Sequence, residues 1–284
     1  MFQMNSPGND KFVDVVVLAD ASSDYTDGSD GVYRVLRSAA PEGVTAMWNR
    51  CYKFWKLNTT SKLLILANND ILLGPGAIQT FLDAHARSES EDTAFVMGPL
   101  CLGRGCGKYY TYSKGGVERN FNKRLMKYLP ESSSLGTTLG AEGITPPEAE
   151  IEKATAELQC ILNDDKYRKR LRLDSDFESD SDSDRISAEY PKAKNGVLGY
   201  FMAFDRRVKQ FEFASDVLFN TSTVNTGNED RLWRLMRQHN ASVRINTHCF
   251  VYHDKALTIP MTINRDNLSE IHSQKFHRRV GRGL

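Results

Sequence analysis

The sequence predicts an α/β fold, a mostly parallel twisted sheet flanked by helices, and three observations carry that expectation. Short apolar runs rich in β-branched residues recur, as in Phe12–Ala19 and Leu63–Ala67, the mark of strands covered on both faces. Between them lie stretches with apolar residues at i, i+3 and i+4, the period of a helix. At 284 residues the chain can also bury a substantial core. Strands alternating with helices favour parallel pairing, because a parallel connection needs a crossover that a helix supplies.

Taken in order, Phe12–Ala19 (FVDVVVLA) is a buried strand that runs into the polar loop Asp20-Ala21-Ser22-Ser23-Asp24. Val32–Leu36 reads as a second short strand. Pro41 and Glu42 open a helix with Val44, Met47, Trp48, Cys51 and Trp55 on one face. Leu63–Ala67 is the next strand and ends in Asn68-Asn69-Asp70. Gly74, Pro75 and Gly76 break the chain before a helix facing inward through Ile78, Phe81, Leu82 and His85. Ala94–Met97 is a further strand. Residues 100–145, rich in glycine, serine and tyrosine, read as long loops. Pro147–Leu173 is helical in pattern, with Ile151, Ala154, Leu158, Ile161 and Leu162 as its apolar stripe. Asp174–Asp184 (DSDFESDSDSD) is an acidic serine run too polar to build a core, a solvated loop in its plainest reading and a phosphorylation or docking segment in its sharper one. Order resumes at Gly196 with an apolar stretch through Phe204. Leu232, Leu235 and Met236 set the period of a late helix, and Cys249–Tyr252 is an apolar strand ending in His253.

Composition excludes several classes. A net charge of +1 creates no field favouring nucleic acid or an anionic membrane, and the short basic cluster Lys275–Arg279 is weak evidence for nucleic acid. No run approaches ~18 consecutive apolar residues, and MFQMNSPGND lacks a signal-peptide core. The expectation is a soluble, cytoplasmic protein without a transmembrane segment. Five cysteines, odd in number and scattered, fit reduced thiols better than a disulfide framework. Cys101 and Cys106 have a poor spacing for zinc. Sequons at Asn58, Asn220, Asn240 and Asn267 read as chance matches without an export signal.

The residues that carry chemistry sit at element ends. Asp70 follows a buried strand, where its carboxylate suits a hard cation; Asn-Asn-Asp equally suits a turn that ends a strand. Glu229-Asp230 stands at a helix start. There an acid can cap the helix, or accept a proton from a hydroxyl nucleophile. His253 ends a strand, where a histidine is either a hydrogen-bonded structural residue or a ligand. Their joint order along the chain suits metal-assisted transfer from a phosphorylated donor.

Together ANNDILLGPGAI, the upstream Asp20-Ala21-Ser22-Ser23-Asp24 and Asn49 in the intervening helix resemble the donor half of family 2 glycosyltransferases of the GT-A, Rossmann-like fold. GYFMAFDRR, GNEDRLWRLMRQ and FVYHDKALT resemble the acceptor half of the same family, and the likeness covers roughly residues 13–100 and 195–260. It implies one catalytic domain over 1–284: a nucleotide-sugar half at 13–100, an insert at 101–195, an acceptor half at 196–260 and a tail at 261–284. It implies a hexosyl- or deoxyhexosyl-transferase that uses a nucleoside-diphosphate sugar, a glycan or glycoprotein acceptor, and Mn2+ or Mg2+. On matching positions, Asp20, Ser22, Asp24, Asn49, Asn68, Asn69 and Asp70 line the donor. Asp70 and His253 hold the metal, and Asp230, with Glu229 beside it, is the general base. The chain departs from the family in having Asn68 as the first residue of the metal motif, only about a dozen residues before the first strand, and Leu232 where many relatives carry a second acid.

Two further classes stay open. A catalytically silent carbohydrate- or nucleotide-binding module would share the motifs without turnover. A nucleotidyltransferase would use metal and carboxylates as well, but ASSDYTDGSD lacks the Lys or Arg of a phosphate loop after the first strand.

Overall fold

The computed structural model describes residues 16–20, 33–37, 43–68, 71–88, 94–102, 111–114, 117–120, 148–166, 190, 193, 196–197, 199–222, 229–241 and 243–253. Its strands are β1 (Val16–Asp20), β2 (Tyr33–Arg37), β3 (Leu63–Ala67), β4 (Ile71–Leu73), β5 (Val96–Leu102), β6 (Thr111–Lys114), β7 (Val117–Asn120), β8 (Phe201–Asp205) and β9 (Val243–His253). The helices are α1 (Val44–Asn58), α2 (Ala77–Ser88), α3 (Glu148–Asn163) and α4 (Asp230–Gln238), with a 3-10 helix at Arg206–Phe211. The acidic run at 174–184, the tail cluster at 275–279 and the sequon at Asn267 lie outside the described residues.

The expectation of a mostly parallel sheet of the GT-A, Rossmann-like kind is overturned. The central sheet is mixed, with strand order β3-β8-β5-β9-β4. β8 runs antiparallel to both β3 and β5, and β4 runs antiparallel to β9; within this sheet only β5 and β9 pair in parallel. The parallel pair β1 and β2 forms a separate two-stranded sheet. The physical reason is that an apolar run records burial and not direction. β8 is buried at all five positions and reads like a parallel strand, yet it enters from far along the chain and inserts between β3 and β5. The sheet therefore interleaves strands from both expected halves. β6 and β7 form an antiparallel hairpin in register from Thr111↔Asn120 to Lys114↔Val117, inside the stretch expected to be long loops.

Alternation along each strand divides the core between the two faces. Phe201 and Ala203 join Ile71, Leu73, Phe81, Met97 and Phe250 in one cluster, under α2 and α3. Met202 and Phe204 join Leu64, Leu66, Trp48, Tyr52 and Trp233 in the other, under α1 and α4. A side-chain period of two delivers neighbouring residues to opposite faces. Two glycines allow close approach on the second face: a Cβ at Gly199 would collide with the Trp48 indole, and one at Gly196, where φ is +85°, with that of Trp233. No helix among the described residues is long and apolar enough to cross a membrane.

Candidate active site

The end of β3 is fixed by a backbone bond: the Asn68 amide donates to the Tyr200 carbonyl at 2.8 Å, tying the Asn-Asn-Asp segment to the Gly199-Tyr200 turn that opens β8. Asn69 and Asp70 lie outside the described residues. The chain is described again at Ile71, which pairs with His253, followed by Leu72 with Tyr252 and Leu73 with Val251. Asp70 is the covalent neighbour of Ile71, so the fold brings together the two segments that carry the expected metal ligands, which stand more than 180 positions apart in the sequence. Nothing in the periodicity of either segment announces that pairing.

The acidic pair occupies the start of α4. Asp230 is the first helical residue and is exposed. Glu229 holds the N-cap position with φ −83° and ψ −17°, and its side chain makes no capping hydrogen bond. Its backbone carbonyl accepts from the Trp233 amide at 3.0 Å, and its Oε2 is out of solvent. Capping is therefore not what the Glu229 carboxylate does. Leu232 is 1% exposed in the α1–α4 cluster, so it is a core position. α4 packs on the face of the sheet opposite Ile71 and Leu73.

Other expected site residues have structural duties. Asn49, 8% exposed on α1, accepts the amides of Leu218 and Phe219 on Oδ1 at 3.0 and 2.9 Å and donates from Nδ2 to the Phe219 carbonyl at 3.1 Å. Its amide thus clamps the loop after the 3-10 helix to α1, which is a role the sequence did not suggest. The Asp205-Arg206-Arg207 end of GYFMAFDRR is likewise structural. Asp205 accepts the Arg207 amide at 3.0 Å and the Arg207 Nε at 2.5 Å, starting the 3-10 helix. Arg206 stacks 4.7 Å over the Trp55 ring and donates to the carbonyls of Lys56, Thr59 and Ser61, closing the C-terminus of α1. Asp20 ends β1 opposite Arg37, while Ser22 and Asp24 lie outside the described residues.

His85 is buried in α2 as its place on the inward face implied, its ring edge-on to Phe95 at 5.3 Å and its Nε2 3.9 Å from Asp205 Oδ2. On the other face the Tyr52 hydroxyl donates to Glu212 at 2.6 Å; burial, reinforced by that carboxylate, pushes its pKa up. Lys56 bridges Glu212 at 2.6 Å and Asp216 at 2.8 Å. Burial also raises the Cys249 thiol, which stays protonated, and Cys51, Cys160 and Cys249 are free cysteines.

Sequence reasoning missed one group next to the Asp70–His253 corner. β9 pairs with β5 as far as Pro99↔Asn246 and resumes at Leu100↔Phe250, so Thr247, His248 and Cys249 bulge from the ladder. Gln159 of α3 fills the gap. The available signal was a glutamine beside Leu158 in an apolar stripe, and a polar Asn-Thr-His step inside an apolar strand.

Among the described residues no three His, Cys, Asp or Glu side chains cluster as metal ligands. Asn69, Asp70 and the His253 side chain lie outside what the structure describes, so the expected ligands are matched to a divalent cation by residue type alone. Neither a protein-family model nor a curated protein matches this sequence.

Proposed function

We propose that this chain is a glycosyltransferase that moves a sugar from a nucleoside-diphosphate donor to the hydroxyl of a glycan or glycoprotein, with inversion at the anomeric carbon. One observation carries the reading: the Ile71↔His253 register, which joins the end of the Asn68-Asn69-Asp70 segment to a histidine at the far end of the chain. Turn formation alone would explain the first segment but not its pairing with the second.

Asp70 and His253 would hold a divalent cation, and Asn68 and Asn69 would line the donor. Such a cation, when bound, neutralises charge developing on the leaving diphosphate. Asp20, Ser22 and Asp24 contact the nucleoside. Asp230, exposed at the start of α4, accepts the acceptor hydroxyl's proton. The bond from that oxygen to the anomeric carbon forms as the bond to the diphosphate oxygen breaks, on the opposite side of the sugar ring. Glu229, one of whose carboxylate oxygens is out of solvent, stands beside Asp230 in the sequence. Asn49 has no donor contact in this reading, because its amide is engaged by Leu218 and Phe219. A cytoplasmic location is part of the proposal and is supported by the free cysteines.

A thermal-shift panel of nucleoside-diphosphate sugars, with and without Mn2+ or Mg2+, tests it. A ligand at ~100 times its Kd adds about 2.7 kcal/mol of stability. Stabilisation by one donor that needs the metal, followed by sugar transfer, is the expected result. No stabilisation by any donor would end the reading, and stabilisation without transfer would leave a silent binding module.

A further inference from the structure

We infer that the outer face of α4 selects an acceptor bearing a phosphate or carboxylate group, which Arg234 and Arg237 hold; the inference rests on Asp230 as the base proposed above. α4 buries Leu232, Trp233 and Met236 on one side, while Asp230, Arg234 and Arg237 are exposed. At 3.6 residues per turn, positions i, i+4 and i+7 fall in one line along a helix. The two arginines therefore stand about 6 and 10 Å further along the helix axis than the base, at 1.5 Å per residue. An acceptor whose hydroxyl meets Asp230 can lie along that line and reach them.

The third arginine of the helix shows what a structural one does here. Arg231 donates to the carbonyls of Phe211 and Glu212 at 3.3 and 3.4 Å, and its guanidinium lies 5.0 Å over the Phe213 ring. Among the described residues, the side chains of Arg234 and Arg237 take part in no hydrogen bond, ion pair or ring contact. The carboxylates of the neighbouring loop are committed elsewhere, Glu212 to Tyr52 and Lys56, and Asp216 to Lys56. Residues three apart on a helix are neighbours, and like charges so placed repel, so the pair adds nothing to folding. The helix dipole accounts for Arg237, in the last turn, but not for Arg234. Two planar guanidinium forks about one turn apart do suit an oxyanion, which each can bind through two parallel hydrogen bonds. The line along α4 thus offers a proton acceptor at its start and an anion site one to two turns further on.

Titration of the full-length chain with glucose 6-phosphate, glucuronate and glucose, read from the arginine Nε–H signals in NMR, tests this. The charged sugars should shift the Arg234 and Arg237 signals and glucose should not, and the tighter of the two tells phosphate from carboxylate. Arg234→Gln combined with Arg237→Gln should weaken the charged sugars about tenfold or more, the value of a charge-assisted fork, with Tm unchanged or slightly raised. Lysine at both positions keeps the charge without the fork and should fall between. Lys153→Gln removes an exposed charge from α3, over the opposite face of the sheet, and should bind like wild type. No preference for the charged sugars, or wild-type affinity in the double glutamine variant, would overturn the inference, as would an equal loss in Lys153→Gln. Supplying a nucleoside-diphosphate sugar to the same preparations separates the inference from the reading beneath it. Charged sugars that bind at α4 but never accept a sugar would end the transferase reading and leave an anion-binding face. Transfer to glucose as fast as to its charged forms would do the reverse.

Discussion

The corner where β4 meets β9 and the region around α1 both gather polar residues that a motif search would select, and they use them in opposite ways. Around α1, Asn49 and Arg206 reach backbone groups of distant segments: Asn49 the Leu218-Phe219 loop, Arg206 the carbonyls at the end of α1. These side chains satisfy buried peptide groups that would otherwise be left without partners. At the corner, the polar residues of the motif stand at strand ends, and the backbone bonds there are made by Asn68 N and by the strand ladder. The difference teaches that a polar residue's place in a motif does not disclose its duty. The number of backbone groups within its reach does.

The sharpest way to break the comparison acts on turnover. Asp230→Asn keeps the size and hydrogen bonding of the helix start but cannot take a proton. General-base catalysis is worth about 10²–10⁴-fold, so transfer should fall by that order with donor affinity and Tm nearly unchanged, measured on the same preparation. Near-normal turnover would move the role to Glu229.

Next in size is Asn49→Ala. It strands two amides and one carbonyl in the core, each costing about 1–3 kcal/mol when unsatisfied, so a loss of about 3 kcal/mol or more is expected in urea unfolding. Donor affinity per folded molecule should stay the same. A stable variant that had lost donor binding would put Asn49 back into the site and erase the contrast drawn above.

At the corner the expected effects are on binding. Asp70→Ala should abolish the dependence of nucleoside-diphosphate affinity on Mn2+, and His253→Ala should weaken it less, as calorimetry with and without a chelator would read. Equal affinity in chelator and in manganese for the unaltered chain would remove the metal from the mechanism.

The smallest effect is the pH dependence of the Lys56–Asp216 pair. The hydrogen bond from Lys56 holds the Asp216 carboxyl below its ordinary 3.8. A depressed carboxyl contributes stability above its unfolded value that is lost as pH falls through the folded one. The hydrogen bonds that Lys56 donates to Asp216 and then Glu212 raise it above 10.5, so its contribution is present below that value and fades as pH rises through the raised one. Asp216→Asn should therefore flatten the Tm profile slightly below pH 4 and leave the neutral range almost untouched. Unaltered acid sensitivity would show that this half-buried pair contributes nothing.

Much of the local structure was legible in the chain alone. The 3.6-residue rhythm of Val44, Met47, Trp48, Cys51 and Trp55 placed α1, and the breakers Gly74, Pro75 and Gly76 placed the start of α2 within a residue. β3 matches the expected strand at its full extent, and α3 lies wholly inside the stretch Pro147–Leu173 read as helical. These expectations hold because period and breaker chemistry act over one or two turns of chain. The site was legible only in its parts: Asn68 and His253 at strand ends, Glu229 and Asp230 at a helix start.

Strand direction, by contrast, was decided only in three dimensions. An apolar pentapeptide such as Phe201–Asp205 satisfies the core equally well in either sense, and the choice falls to which neighbours complete its hydrogen bonds. The partner of Ile71, the clamp of Asn49 and the seat of Gln159 belong to the same class. Each joins residues far apart in sequence, through peptide groups that every residue carries and that leave no mark on side-chain pattern. Side chains by themselves determined most of the segments that would be buried, although β5 and β9 run past the bounds their apolar runs suggested. The backbone, folded, determined which of them would meet.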